Sequence, residues 1–139
     1  MNWKLIFSLS LFGLAMAFAT ITLIPATVEP GCWLVIFVIC ARLIAKYAPG
    51  SYFWHGFLVS MVNCVWIVTA HSIFYQSYLA HHPQMVEMSA KIPILADHIR
   101  RQMVVLGPIF GAISGLIQGL FAFLASKIKR VPTGSHPVS

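Results

Sequence analysis

Three stretches of this chain, Leu5–Val28, Tyr47–Val86 and Gln102–Ser126, contain no Lys, Arg, Asp or Glu. A fourth and shorter apolar run, Gly31–Ala41, ends in Arg42 and Lys46. A bilayer hydrocarbon core about 30 Å thick takes roughly 20 apolar residues as a helix. Three runs meet that length alone, and the second does so once Arg42 extends its guanidinium toward headgroups. The expected fold class is therefore all-α, an integral membrane bundle of four transmembrane helices with short connectors. The expected spans are 4–24, 32–47, 52–80 and 98–129, forming a single transmembrane domain over 1–130.

Composition supports this and excludes other classes. Of 139 residues, 59% are hydrophobic and 9% charged, against about 25% charged in a soluble domain. Four spans and their connectors leave no length for a separate soluble domain. A pI near 9.6 in a soluble protein would suggest nucleic acid. Here the cations cluster at helix ends, so the bilayer is the expected partner and nucleic acid is not.

The breakers divide the spans. Pro25 ends span 1, Ala48-Pro49-Gly50 ends span 2, and His81-His82-Pro83 ends span 3. Span 3 is longer than a bilayer requires, which predicts a tilted or projecting helix. Gln84–Ala96 is the one sizeable loop, with a helical turn expected around Met85–Ala90. Asp97 is the expected N-cap of span 4. The tail, 131–139, has two prolines and a glycine with no apolar period, and is expected to be disordered. Lys4 and the following apolar run imitate a signal peptide, but the run continues past Ala15-Met16-Ala17 to Ile24. A signal h-region has about 7–15 residues, so an uncleaved first span is expected.

Orientation follows from Lys and Arg. With the N-terminus inside, Lys4, Arg42, Lys46, Lys127, Lys129 and Arg130 lie inside, and Lys91, Arg100 and Arg101 outside. The excess inside predicts cytoplasmic termini in a multi-pass plasma-membrane protein. The aromatic residues agree, with Trp3, Tyr47, Tyr52 and Trp54 at the inner interface and Trp33, Tyr75 and Tyr78 at the outer one.

Span 4 carries Gly107, Gly111, Gly115 and Gly119 at four-residue spacing. This makes a ridge without side chains, and in lipid such ridges permit close helix approach. Ser10, Gly13, Ala17 and Thr20 form a small-residue seam on span 1, the expected partner, with Gly13 and Ala17 at the contact; association between copies is the alternative use. Pro108 predicts a kink in span 4.

Span 3 holds most of the intramembrane polarity. Gly56, Ser60, Asn63, Cys64, His71 and Tyr78 fall on one side of a helix. Unpartnered polar groups are costly in lipid, so this stripe should face the interior and bond to Ser114 and Gln118 of span 4. Ser60, Asn63, His71, Ser114 and Gln118 are the expected interior polar stripe, or the lining of a path.

Other constellations are weaker. His55 and His71 lie sixteen residues apart, about 24 Å along a helix at 1.5 Å per residue, too far to share a haem. His81, His82, Met85 and Met88 make a soft-metal set by residue type, although their spacing equally suits one face of an interfacial helix. Cys32, Cys40 and Cys64 are scattered, against a disulfide framework or a zinc site. No carboxylate falls within an expected span, and no Ser-His-Asp set, H-E-x-x-H or P-loop is present. Neither enzyme activity nor a cofactor is expected. The leading expectation is a small membrane subunit acting through helix packing, as an oligomer or as an accessory of a larger complex. The alternative is a small transporter or channel whose path is lined by spans 3 and 4. A continuous polar cavity would favour the second, and a dry interior the first.

Overall fold

The computed structural model describes residues 1–91 and 99–129. It contains six helices among these residues: α1 (Trp3–Thr22), α2 (Glu29–Tyr47), α3 (Tyr52–Ile73), α4 (Tyr75–His81), α5 (Pro83–Ala90) and α6 (Ile99–Lys129). Four of them, α1, α2, α3 and α6, are long and apolar enough to cross a membrane by length and composition. Asp97 and the tail from Val131 lie outside the described residues.

Local chemistry explains the boundaries. Asn2 caps α1, its Oδ1 accepting from Leu5 N–H at 3.2 Å. Pro25 follows the end of α1 and seeds the turn into α2, where Val28 N–H donates to the Pro25 carbonyl at 3.0 Å. Pro30 occupies the first turn of α2, where a missing N–H costs nothing. The link to α3 is tight: Gly50 has φ +155° and Ser51 φ +48°. Two expected boundaries shift. The second helix begins at Glu29, three residues earlier than the sequence reading, so a carboxylate does sit in the first turn of a long apolar helix. The expected single helix 52–80 is broken at Phe74 into α3 and α4. Pro108 lies inside α6 without ending it.

Contacts give the topology. Asn2 and Thr20 of α1 bond to His55 and His71 of α3, so α1 and α3 run parallel. Gly56 faces Gly119 of α6, and Gly107 faces Val68 of α3, so α3 and α6 run antiparallel. Helix α6 packs mainly on α3 and then on α2, while α1 packs on α3. The glycine ridge thus meets α3 and not α1, which corrects the expected pairing with Gly13 and Ala17. A Cβ on Gly111 would lie 2.7 Å from Cys64 Cβ, one on Gly115 2.9 Å from Phe57, and one on Gly119 2.8 Å from Phe53. Gly13 instead accommodates the Asn63 side chain, and Ala17 packs with Ile21 and Ala70. The physical reason is reciprocity: Gly56 of α3 offers α6 a bare backbone where the two helices cross, so α3 can accept the ridge along its length.

Burial is inverted relative to a soluble domain. Ser10, Thr20, His55, Ser60, Asn63, His71 and Gln118 are buried, while Phe7, Leu11, Phe18, Leu34, Val65, Phe110 and Ile113 are exposed. Near the start of α1, Ile6, Leu9, Cys40, Ile44, Val59 and Ala122 from all four long helices form one buried cluster. There His55 is fully satisfied. Its Nε2 accepts from Asn2 N–H at 3.0 Å, and its Nδ1–H donates to the Ser51 carbonyl at 3.0 Å.

Candidate functional site: a cavity at the open end of the bundle

Toward the α4 end the packing loosens. A cavity of about 460 Å³ lies between the first halves of α2 and α6, the second half of α3, and α4. That volume is within the range of small-molecule pockets, roughly 300–1,000 Å³. Its walls are mostly apolar and aromatic, from Trp33 and Phe37 of α2, Ile67 and Val68 of α3, and Met103, Leu106 and Phe110 of α6. Gly107 and Gly111 contribute backbone to the same wall.

Polar groups sit at two depths. Ser60, Asn63 and Ser114 lie at the deep end. Ser60 Oγ and Ser114 Oγ share a hydrogen bond of 2.8 Å across the α3–α6 seam. Ser114 also approaches the Gly111 carbonyl at 3.1 Å. Asn63 is 4% exposed, and its Oδ1 has no hydrogen-bond partner. Gln118 does not reach Asn63. Its Nε2 donates to the Phe37 carbonyl at 3.3 Å, and its Oε1 is buried without a partner. The expected stripe is thus divided: Ser60, Asn63, His71 and Ser114 share the cavity, while Gln118 ties α6 to α2 beyond it.

At the α4 end the cavity meets Glu29, His71, Tyr78 and Gln102. His71 bonds to α1 and not to α6: its Nε2 is 3.0 Å from Thr20 Oγ1. The Thr20 hydroxyl lies 2.9 Å from the Met16 carbonyl and donates there. It therefore accepts from His71 Nε2–H, which leaves His71 Nδ1 as an acceptor in the neutral ring. The rings of His71 and Tyr78 stack at 4.0 Å, and those of Tyr78 and His82 at 4.4 Å. Residues seven apart on a straight helix are about 10.5 Å apart along its axis. The break at Phe74 is what permits the first of these stacks.

His82 is 1% exposed. Its Nδ1–H donates to the Tyr78 carbonyl at 3.1 Å, and its Nε2 has no hydrogen-bond partner. That nitrogen lies 3.8 Å from Glu29 Oε2. Glu29 Oε1 accepts from Trp33 Nε1–H at 3.2 Å, one helical turn along α2. Burial first, and then the Glu29 carboxylate, push the Tyr78 phenol up to about 12. Such a shift marks a place where added negative charge is disfavoured.

The soft-metal set does not assemble. His82 is buried beside Glu29, whereas His81 is exposed and bonds to the Ser77 carbonyl at 2.8 Å. Met88 is exposed, and the Met85 side chain lies outside the described residues. Among the described residues no group of three or more His, Cys, Asp or Glu is placed to hold a metal.

Glu29 and Trp33, which line the cavity, and Thr20, which bonds to His71, are not among the expected site residues. Glu29 is the only acid before Glu87, and Glu29-x3-Trp33 has the i,i+4 spacing of facing helical neighbours, so a signal was present. Thr20 gave none, because its partner lies 51 positions away. Searches against protein-family models, curated proteins and solved structures found nothing that matches this chain.

Proposed function

We propose that this chain is a four-span membrane protein that holds a small amphiphilic guest inside its bundle, a function of the transporter or carrier class. The observation that carries the reading is the cavity joining the deep group of Ser60, Asn63 and Ser114 to the end group of Glu29, His71 and Tyr78. A packing subunit has no use for a cleft of this size between its helices, since helices that do not meet forgo dispersion contacts with one another. It has less use for a buried Asn63 Oδ1 without a partner, which costs about 1–3 kcal/mol. Both features are costs to the empty protein that a guest offsets.

The inverted burial supports a bilayer setting, because exposed apolar surface on this scale is not tolerated by a soluble monomer. Four spans put both termini on one side, and the Lys and Arg balance assigns that side to the cytoplasm. The cavity end at Glu29 and Tyr78 then faces outward.

Cys64 lines the cavity and serves as its reporter. In the Cys32→Ala, Cys40→Ala background, a water-soluble, membrane-impermeant methanethiosulfonate reagent applied outside should modify Cys64. Leu106→Trp, which fills the cavity, should slow that reaction at least tenfold. Failure to label Cys64 in the folded protein would refute the accessible cavity and return the packing-subunit reading to first place.

A further inference from the structure

We propose that the guest carries a monovalent ammonium group, held at Glu29 beside the ring of Trp33, with its apolar body directed toward Gly107 and Gly111. The proposal rests on the guest-holding reading above and names the chemistry of that same cavity.

Four observations converge on a cation. The first is charge. Among the described residues Glu29 is the only acidic residue lining the cavity, and no Lys or Arg lines it. The second is hydrogen-bonding balance. Glu29 Oε1 has the Trp33 N–H, whereas Oε2 faces His82 Nε2 across 3.8 Å. His82 is 1% exposed and its Nδ1–H is already committed, so in the neutral ring Nε2 is a second acceptor without a donor. His71 Nδ1 is also an acceptor in the neutral ring, because its Nε2–H is taken by Thr20. The Tyr78 hydroxyl and the Gln102 amide also line this end, but its fixed charge is the Glu29 carboxylate, which attracts a cationic head and repels an anionic one.

The third observation is aromatic. Trp33 lines the cavity with Glu29, and aromatic faces attract ammonium groups most strongly when water is excluded; both faces of Tyr78 are taken by His71 and His82, so Trp33 is the ring that offers one. The fourth is shape. Beyond the head group the wall becomes apolar, and at Gly107 and Gly111 it is bare backbone. An alkyl or aryl body fits there.

Two sources supply this chemistry: a free organic ammonium compound, or the headgroup of an ammonium phospholipid. A matched series separates charge from shape. Benzylammonium, ethylbenzene and phenylacetate have similar bulk and carry positive, neutral and negative charge. Their binding to the intact chain in phosphatidylglycerol nanodiscs is read from Trp33 fluorescence, with Trp3, Trp54 and Trp66 changed to Phe. The cation should bind at least tenfold more tightly than the neutral compound, and the anion most weakly. Glu29→Gln keeps the acceptor for Trp33 and should remove the preference for the cation, while an unchanged helical circular dichroism spectrum and melting profile show that the variant is folded.

Competition by added phosphatidylethanolamine supports the headgroup as the source. Absence of competition supports a free ammonium compound. Equal binding of cation and neutral compound, or a cation preference that survives Glu29→Gln, would overturn the charge assignment and leave the cavity reading standing. Binding of none of the three would overturn the cavity reading itself.

Discussion

Replacing Gly56 by alanine probes the point where α3 and α6 come closest. A Cβ at Gly56 would lie 2.6 Å from the Gln118 carbonyl oxygen and 2.9 Å from both the Gln118 carbonyl carbon and the Gly119 Cα. All three are backbone atoms, so no rotamer change relieves the clash. Reaching ordinary contact at 3.4 Å requires the helices to separate by about 0.8 Å. A gap of roughly 0.5–1 Å forfeits a quarter to a half of each dispersion contact along the seam. Overpacking of this kind costs about 1–3 kcal/mol, and a backbone-to-backbone clash belongs at the upper end. Alanine returns about 1 kcal/mol of helix propensity. The net expectation is a loss of about 2 kcal/mol, or roughly 25-fold in the unfolding equilibrium. Gly115→Ala is the control. Its nearest neighbour is the Phe57 ring at 2.9 Å, which can turn, and the Phe57 carbonyl is at 3.2 Å, so loss and gain should nearly cancel. Gly115→Leu has no such relief and should destabilise the bundle clearly. The assay is reversible unfolding in mixed detergent and dodecyl sulfate micelles, followed by helical circular dichroism. A Gly56→Ala protein as stable as the parent, or Gly115→Ala as damaging as Gly56→Ala, would refute a backbone crossing at Gly56.

Two further outcomes are expected. Asn63→Leu removes a buried oxygen that has no partner and should raise stability by about 1 kcal/mol in the same unfolding assay, while weakening any guest that bonds to Asn63; lowered stability would mean that Asn63 is satisfied within the empty bundle. In a chain with Cys32, Cys40 and Cys64 changed to Ala, an impermeant maleimide added to intact cells should label Gln84→Cys and spare Ser51→Cys, and the reverse pattern would invert the topology.

The sequence by itself determined the number of long helices, their order and their near ends, because each is a local property. Charge-free length sets a span, and Pro25, Pro49, Gly50 and Pro83 punctuate the chain whatever lies around them. It also determined that Ser60, Asn63 and His71 share one face of α3, since helical period alone places them there. Only the tertiary structure decided which helix receives each face. The ridge of Gly107, Gly111, Gly115 and Gly119 suits any close partner, and the seam on α1 matched it in composition as well as α3 does. Gly56 chose α3, through a reciprocal backbone approach that composition does not encode. The break at Phe74 carries no proline or glycine and arises within an apolar run. It turns α4 back so that Tyr78 stacks between His71 and His82, and so that Glu29 and His82, 53 residues apart in the chain, come within 3.8 Å. The cavity is the outcome of those two decisions, since a void exists only where helices already placed by other contacts fail to meet.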